Sequence, residues 1–506
     1  MKIEGQEHLL RFYDTLSEAS KTKLLNQIKA QNFTELLALA DEYVKNKPVV
    51  AIPTDIKSVN MYPRVAKSEH KELYTKADAR GRELVKQGKV AAFLVAGGQG
   101  TRLGYDGPKG EYSVTPIKGK SLFQVFAEQL LAHARDNQTT IPWYIMTSEV
   151  NDTVTQEFFK KNNYFGYDPK DVFFFKQGMM PAFSMDGKLL LGEKDSLALS
   201  PDGHGGSLRA LERSGALADM KNRGVEHLSY FQVDNPLVHT IDYRFIGLHD
   251  LVGSEMSSKT IPKAGPLEKV GNFVFADGKV QVIEYSDLPE ALATQTNADG
   301  SLKFNAGSIA IHALKVSFIE RLTSGGTLKL PWHRAEKKVA HVNDAGEMVK
   351  PEKPNAIKLE QFIFDAIPLA AHAMVYETDR AEEFSPVKNA EGNDSPETCR
   401  QHQIERAARW LAAAGVRVPV SEGKIDAMIE IDPLFAPSLQ QLKARKLNIK
   451  EIQSGAMVYF GTDALEGITQ LPTFEESSSQ LLKNIGSAIK KISKPASSDA
   501  PRTAGI

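Results

Sequence analysis

Val90-Ala91-Ala92-Phe93-Leu94-Val95-Ala96-Gly97-Gly98-Gln99-Gly100-Thr101-Arg102-Leu103-Gly104 is the stretch on which the reading of this chain turns. The unbroken apolar run from Val90 to Val95 is the pattern of a strand buried on both faces of a parallel sheet. It runs straight into glycines, whose N–H groups can meet a ligand with no Cβ in the way. Arg102, and Lys109 in the following Gly107-Pro108-Lys109-Gly110, add cations that a neutral ligand would not need. The combination points to a polyphosphate held just beyond a buried strand. A plain surface turn accounts for a pair of glycines, not for this series with Arg and Lys beside it.

Two familiar glycine motifs do not fit. A dinucleotide fingerprint needs glycine where Leu103 stands, because its third glycine lets helix and strand pack closely. A P-loop at Gly119-Lys120-Ser121 would need glycine at Val114, and no strand ends just before it.

Working outward, strand patterns recur at Trp143–Thr147, Val172–Phe175, Tyr230–Val233, Val280–Tyr285 and Met374–Glu377. Helical patterns fall between them at Leu122–Arg135, Thr153–Lys161, Ile241–Asp250 and Lys358–Ala366. This alternation predicts an α/β domain with a mostly parallel central sheet. The Phe residues from Phe158 to Phe183 read as core. Upstream, Leu9, Leu10, Phe12, Tyr13, Leu24, Leu25 and Ile28 recur at helical spacing. The expected division is a mainly helical N-terminal region over 1–87, a catalytic domain over 88–385 and a small C-terminal domain over 386–506. The tail from Ser493, rich in Pro, Ser and Ala, reads as disordered.

A chain of 506 residues is too long for one core. Its 62 Lys and Arg nearly cancel its 63 Asp and Glu, leaving a net charge of -1. A nucleic-acid or membrane-surface partner usually calls for a basic excess, so neither is expected. One cysteine, Cys399, allows no internal disulfide, and no Cys/His spacing points to zinc. Without a signal-peptide pattern or a long apolar run, the cytoplasm is the expected compartment. No G-x-S-x-G elbow marks a serine hydrolase, and His333, His341 and His402 lack metal-ligand spacing.

The run Leu94 to Gly110 closely resembles the N-terminal signature of the UDP-N-acetylglucosamine (UDP-N-acetylhexosamine) pyrophosphorylase family. Further landmarks follow in order: Gln177-Gly178-Met179, Pro201-Asp202-Gly203-His204-Gly205-Gly206, Val233-Asp234-Asn235, Val282-Ile283-Glu284-Tyr285-Ser286, Phe304-Asn305-Ala306-Gly307, Lys353-Pro354-Asn355 and Phe384-Ser385-Pro386-Val387-Lys388-Asn389. The resemblance implies a Rossmann-like nucleotidyltransferase domain. The implied enzyme is a uridylyltransferase of nucleotide-sugar biosynthesis, joining UTP to N-acetylglucosamine 1-phosphate with release of pyrophosphate.

By the same resemblance, the Ala96, Gly97 and Gly98 backbone, with Gln177 and Gly203, would hold uracil. Arg102 and Lys109 would hold the triphosphate, Lys358 would lie near the nucleotide phosphates, and Lys388 would reach the phosphate shared by donor and acceptor. Asp234, after the predicted strand Tyr230–Val233, suits Mg²⁺, which takes one or two carboxylates with phosphate oxygens and water. His204, Glu284, Tyr285 and Asn305 would line the sugar. The best-known family pattern has Asn at the position of His204, which keeps a UDP-glucose or broad UDP-sugar pyrophosphorylase as the alternative. A nicotinamide oxidoreductase lacks its glycine at Leu103. A catalytically dead sensor would not need the full set of Arg102, Lys109, Asp234 and Lys388.

Overall fold

The computed structural model describes residues 5–46, 53, 55–326, 328–445, 447–461 and 470–471. The tail from Ser493 lies outside the described residues. The chain forms two compact units, Met1–Val114 with Lys120–Cys399, and Thr115–Gly119 with Arg400–Ile506. The division therefore falls at Cys399, not at the expected 385, because Val387 and Cys399 are both fully buried in the core of the first unit.

Four strands at the heart of the first unit are parallel: β1 (Val90–Val95), β2 (Trp143–Thr147), β3 (Val172–Lys176) and β4 (His227–Gln232). Their spatial order is β3-β2-β1-β4. The chain steps from β1 out to β2 and β3, then returns to the other side of β1 as β4. A reversal of this kind opens a crevice beyond the carboxyl ends of the strands, where open α/β sheets place their ligands. Among the described residues, further strands extend the sheet to ten. These include β5 (Met256–Pro262), β6 (Asn272–Ala276), β7 (Lys279–Ile283) and β8 (Ala306–Lys315), with β8 antiparallel to both β4 and β5.

The apolar run of β1 follows from its position. Val90, Ala92 and Leu94 enter one core with Leu122, Phe123 and Phe126. Ala91 and Phe93 enter another with Leu208, Leu211 and Phe318. With both faces covered, no position can be polar without losing water contacts. The Phe cluster also packs as core: Phe159 is fully buried, with rings of Trp143, Phe165 and Phe174 at 5.4, 5.2 and 5.0 Å.

Residues 358–366 are not the expected helix. Residues 358–360 end a strand in a smaller three-stranded sheet, between β9 (His333–Lys337) and Phe183–Ser184. That strand, β10 (Ala356–Glu360), is followed by the 3₁₀ turn Ile363–Leu369, and β11 (Ala373–Glu377) returns to the main sheet beside β5. Pairing of residues 358–360 with Ala335, Arg334 and His333 of β9 overrides the local helical pattern. Leu9, Leu24, Ile28 and Leu36 of the N-terminal region share a core with Phe183, Leu191, Ile357 and Leu359. No described helix is long and apolar enough to cross a membrane.

Helices α1 (Lys71–Lys86), α2 (Leu122–Asn137), α3 (Asp152–Lys161) and α4 (Tyr243–Leu251) pack around this sheet. The crossing of α1 and α4 is set by two glycines. A Cβ on Gly81 would lie 1.8 Å from the Tyr243 carbonyl oxygen, and one on Gly247 would lie 1.9 Å from that of Ala77. Backbone meets backbone, so no side chain can yield. Gly81→Ala and Gly247→Ala are therefore expected to destabilise the protein by about 1–3 kcal/mol through overpacking. In an ordinary helix the same change stabilises by roughly 0.5–1 kcal/mol. Urea unfolding of each variant checks this, and a gain in stability would refute so close a crossing.

Candidate active site

The glycine loop leaves β1 at the centre of the sheet. The Ala96 N–H donates to the Met146 carbonyl at 2.8 Å, which carries the chain one step past the strand. Asn151, fully buried, then donates its side-chain N–H to the carbonyls of Ala96 (3.0 Å) and Gly98 (3.4 Å). Gly97 lies against Gln177, whose Oε1 would be 2.5 Å from a Cβ at that position. Gln177 itself follows β3 and donates its N–H to the Thr147 carbonyl at 2.9 Å. Ala96, Gly97, Gly98 and Gln177 thus form one cluster at the carboxyl ends of β1 and β3.

The loop folds back so that its cations return to its base. Gly100 N–H donates to Gly107 at 2.8 Å, and Lys109 N–H donates to Gly98 at 3.1 Å. Arg102 stands exposed on the turn between them. The Lys109 ammonium reaches the Val387 carbonyl at 3.4 Å, while the Val387 N–H donates to the Asp234 carbonyl at 2.7 Å. Burial lowers the Lys109 pKa from the ordinary lysine value; Asp234 opposes this, and Arg102 and Lys388 deepen it. These mutual influences put Arg102, Lys109, Lys388 and Asp234 in one electrostatic neighbourhood. Lys388 lies with its ammonium 5.6 Å from the Phe384 ring.

Gly203 and His204 are tied to the segment after β10. Gln361 N–H donates to Asp202 and Gly205 N–H donates to Gln361, each at 2.8 Å. Gly203 has φ +86°, and a Cβ there would lie 2.3 Å from the Gln361 carbonyl oxygen. His204 Nδ1 accepts the Ile363 N–H at 3.1 Å, which leaves the proton of the neutral ring on Nε2. Burial, with the nearby His333 adding to it, lowers the His204 pKa to about 4, so the ring is neutral at physiological pH. It stacks on Phe362 at 5.2 Å, and Phe362 meets the His333 ring at 4.2 Å.

A cleft of about 880 Å³ adjoins this stack, lined by Glu284, Tyr285, His333, Phe362, Phe364 and Asp365 among others. His333 Nε2 and Asp365 Oδ2 are 2.7 Å apart. Burial raises the Glu284 pKa, with Asp287 and Asp365 adding to the rise and His333 opposing it. Tyr285 is exposed at the rim. Two expected residues lie apart from these contacts. Asn305 does not line the cleft, and its Oδ1 accepts the Lys263 N–H at 2.8 Å. Lys358 sits half-buried on β10 opposite Ala335 of β9.

Sequence reading passes over Asn151, His333, Phe362 and Asp365. Asn151 had a signal, since it follows a predicted strand at its carboxyl end. Phe362 and Asp365 fall in the segment with the misleading helical pattern, and His333 is searched for the wrong chemistry, a metal.

Among the described residues, His239, Asp242 and Glu383 are the group of ligand types close enough to share a metal ion. Lys259 already occupies its carboxylates, with Nζ 2.6 Å from Asp242 Oδ2 and 2.6 Å from each Glu383 oxygen. Asp234 lies outside that group. A half-buried carboxylate beside the cations Arg102, Lys109 and Lys388 still fits Mg²⁺, which draws most of its oxygens from phosphate and water.

The UTP--glucose-1-phosphate uridylyltransferase family matches residues 33–394. A UDP-N-acetylhexosamine pyrophosphorylase-like protein 1 from Mus musculus is 37% identical over 466 residues, covering 87% of this chain and 92% of its own. The UDP-N-acetylglucosamine pyrophosphorylase of Saccharomyces cerevisiae is 38% identical over 427 residues, covering 82% of this chain and 87% of its own. The crystal structure of the uridine diphosphate N-acetylglucosamine pyrophosphorylase from Trypanosoma brucei, in complex with an inhibitor, superposes with a TM-score of 0.75. It is 25% identical and covers 90% of this chain and 96% of its own. The chain belongs to the UTP--glucose-1-phosphate uridylyltransferase family of nucleotidyltransferases and, within it, stands with the UDP-N-acetylhexosamine pyrophosphorylases.

Proposed function

We propose that this chain transfers the uridylyl group of UTP to N-acetylglucosamine 1-phosphate, in the cytoplasm and with Mg²⁺. The observation that carries this reading is the gathering of Arg102, Lys109 and Lys388 with Asp234 at the switch between β1 and β4. A sugar-phosphate oxygen attacks the α-phosphorus of UTP in line. The bond from that phosphorus to the bridging oxygen breaks, and pyrophosphate leaves. No covalent enzyme group is needed, so the protein's work is to position two anions and to neutralise the charge that builds on the leaving group.

The Ala96–Gly98 backbone and Gln177 would pair with the uracil edge, for which the Gln177 amide offers both donor and acceptor. Gly203 would close the base side. Arg102 and Lys109 would meet the triphosphate, with Lys358 near the nucleotide and Lys388 on the phosphate joined to the sugar. Asp234 would hold Mg²⁺, and the bound ion would add charge neutralisation at the phosphates. His204, Glu284, Tyr285 and Asn305 would face the hexose. His204, with Nδ1 already engaged, has an Nε2–H to offer the acetamido carbonyl.

The family takes its name from the glucose enzyme and the relatives from N-acetylhexosamine enzymes, so the sugar is the first test. N-acetylglucosamine 1-phosphate is expected to exceed glucose 1-phosphate in kcat/KM by about tenfold or more, since a polar group built to pair and left unpaired costs about 1–3 kcal/mol. His204→Ala should narrow that gap and leave the KM for UTP nearly unchanged. Equal handling of the two sugars by the wild type would favour the broad UDP-sugar enzyme.

The metal reading predicts that EDTA abolishes turnover and Mg²⁺ restores it, while Asp234→Asn stays inactive at high Mg²⁺. Full activity in metal-free buffer would remove Asp234 from this role. A third test concerns pH. Lys109 acts as a cation, so its contribution is present below its pKa and is lost as pH rises through it. Because that pKa is lowered in the free protein, the alkaline limb of kcat/KM is expected below the ordinary lysine value, and Lys109→Arg should move it upward. A limb unmoved by Lys109→Arg would assign it to another group.

A further inference from the structure

Lys388 and Asp234 come from distant parts of the chain, and one buried side chain ties those parts together. Asn235 is 5% exposed and directly follows Asp234. Its Nδ2 donates to the Glu383 carbonyl at 2.7 Å, and its Oδ1 accepts the Ser385 N–H at 3.0 Å. The same Oδ1 lies 3.3 Å from the Leu237 N–H, which fixes the amide on its own loop. Two residues on, Val387 N–H donates to the Asp234 carbonyl at 2.7 Å. The Glu383 end is pinned separately by Lys259, fully buried, and by Thr378 Oγ1 at 2.7 Å. Between Glu383 and Lys388 the chain has no helix or strand of its own, so its course depends on these contacts.

We infer that Asn235 is a positioning residue for uridylyl transfer, holding the Glu383–Lys388 segment against the end of β4 so that Lys388 and Asp234 address the same phosphates. This inference rests on the proposed reaction. Asn235 touches no reacting atom; it acts through Lys388. An amide is required because the two backbone groups it meets are of opposite kind, one an acceptor and one a donor.

The test uses the full chain with Asn235→Asp and Asn235→Ser, each made in the wild type and in Lys388→Met. Asn235→Asp keeps the acceptor for Ser385 and sets an oxygen against the Glu383 carbonyl; Asn235→Ser withdraws from both. Folding is checked by circular dichroism and Tm, and uridylyl transfer by pyrophosphate release. In the wild-type background kcat is expected to fall about 10²-fold, the scale of a misplaced catalytic group, with the KM for UTP little changed and the Tm lowered while the protein stays folded at the assay temperature. In Lys388→Met the same substitutions should add little, because the cation they misplace is already gone. Near-normal kcat in a folded variant, an undiminished loss in the Lys388→Met background, or failure of both variants to fold would each overturn the assignment. A wild type inactive with UTP and every sugar 1-phosphate would instead remove the functional reading, and this inference with it.

Discussion

β1 has no free edge and no exposed face. β2 pairs with it on one side and β4 on the other, both parallel, and apolar layers cover it above and below. A chain leaving such a strand can emerge only at its carboxyl end, into the crevice made where the strand order reverses. The glycine loop therefore opens in the one place from which it can reach Gln177 beyond β3 and Asp234 beyond β4. Asn151, beyond β2, completes the arrangement by taking up the carbonyls of Ala96 and Gly98. Each of the four parallel strands thus delivers a residue to the same rim.

Lys259, fully buried, and Lys109, half-buried, have opposite surroundings. Lys259 meets two carboxylates, and their attraction outweighs burial, so its pKa is raised. Lys109 has Asp234 in its favour but Arg102 and Lys388 against it, and burial carries its pKa down. The first arrangement is complete within the protein. The second is left with an excess of positive charge that a polyphosphate would relieve, which is how a chain of net charge -1 can hold a strongly anionic ligand locally.

The proposed sugar side is built differently. The His204, Phe362 and His333 rings stack in sequence at the edge of the cleft, and the Ile363 N–H decides which nitrogen of His204 carries the proton. Such a wall offers apolar surface with a single directed donor, a combination suited to an acetamido group.

Much of this was legible in the sequence because it depends on local pattern. A continuous apolar run followed by glycines needs no partner to be recognised as a buried strand running into bare backbone, and the placement of Asp234 just after the strand His227–Gln232 follows the same logic. What the sequence could not convey was pairing at long range. Residues 358–366 have a helical period, yet pairing of residues 358–360 with residues 333–335 continues a strand whose start lies beside residues 183–184. The place of Val387 and Cys399 in the first core, and the Asn235 amide across to Glu383 and Ser385, likewise join segments far apart in the chain. The sequence by itself determined which residues carry charge, which strands are buried and where the backbone is bare. Tertiary structure alone decided which of them meet, because hydrogen-bond partners and neighbouring charges are set by distance in space, and local propensity carries no record of that distance.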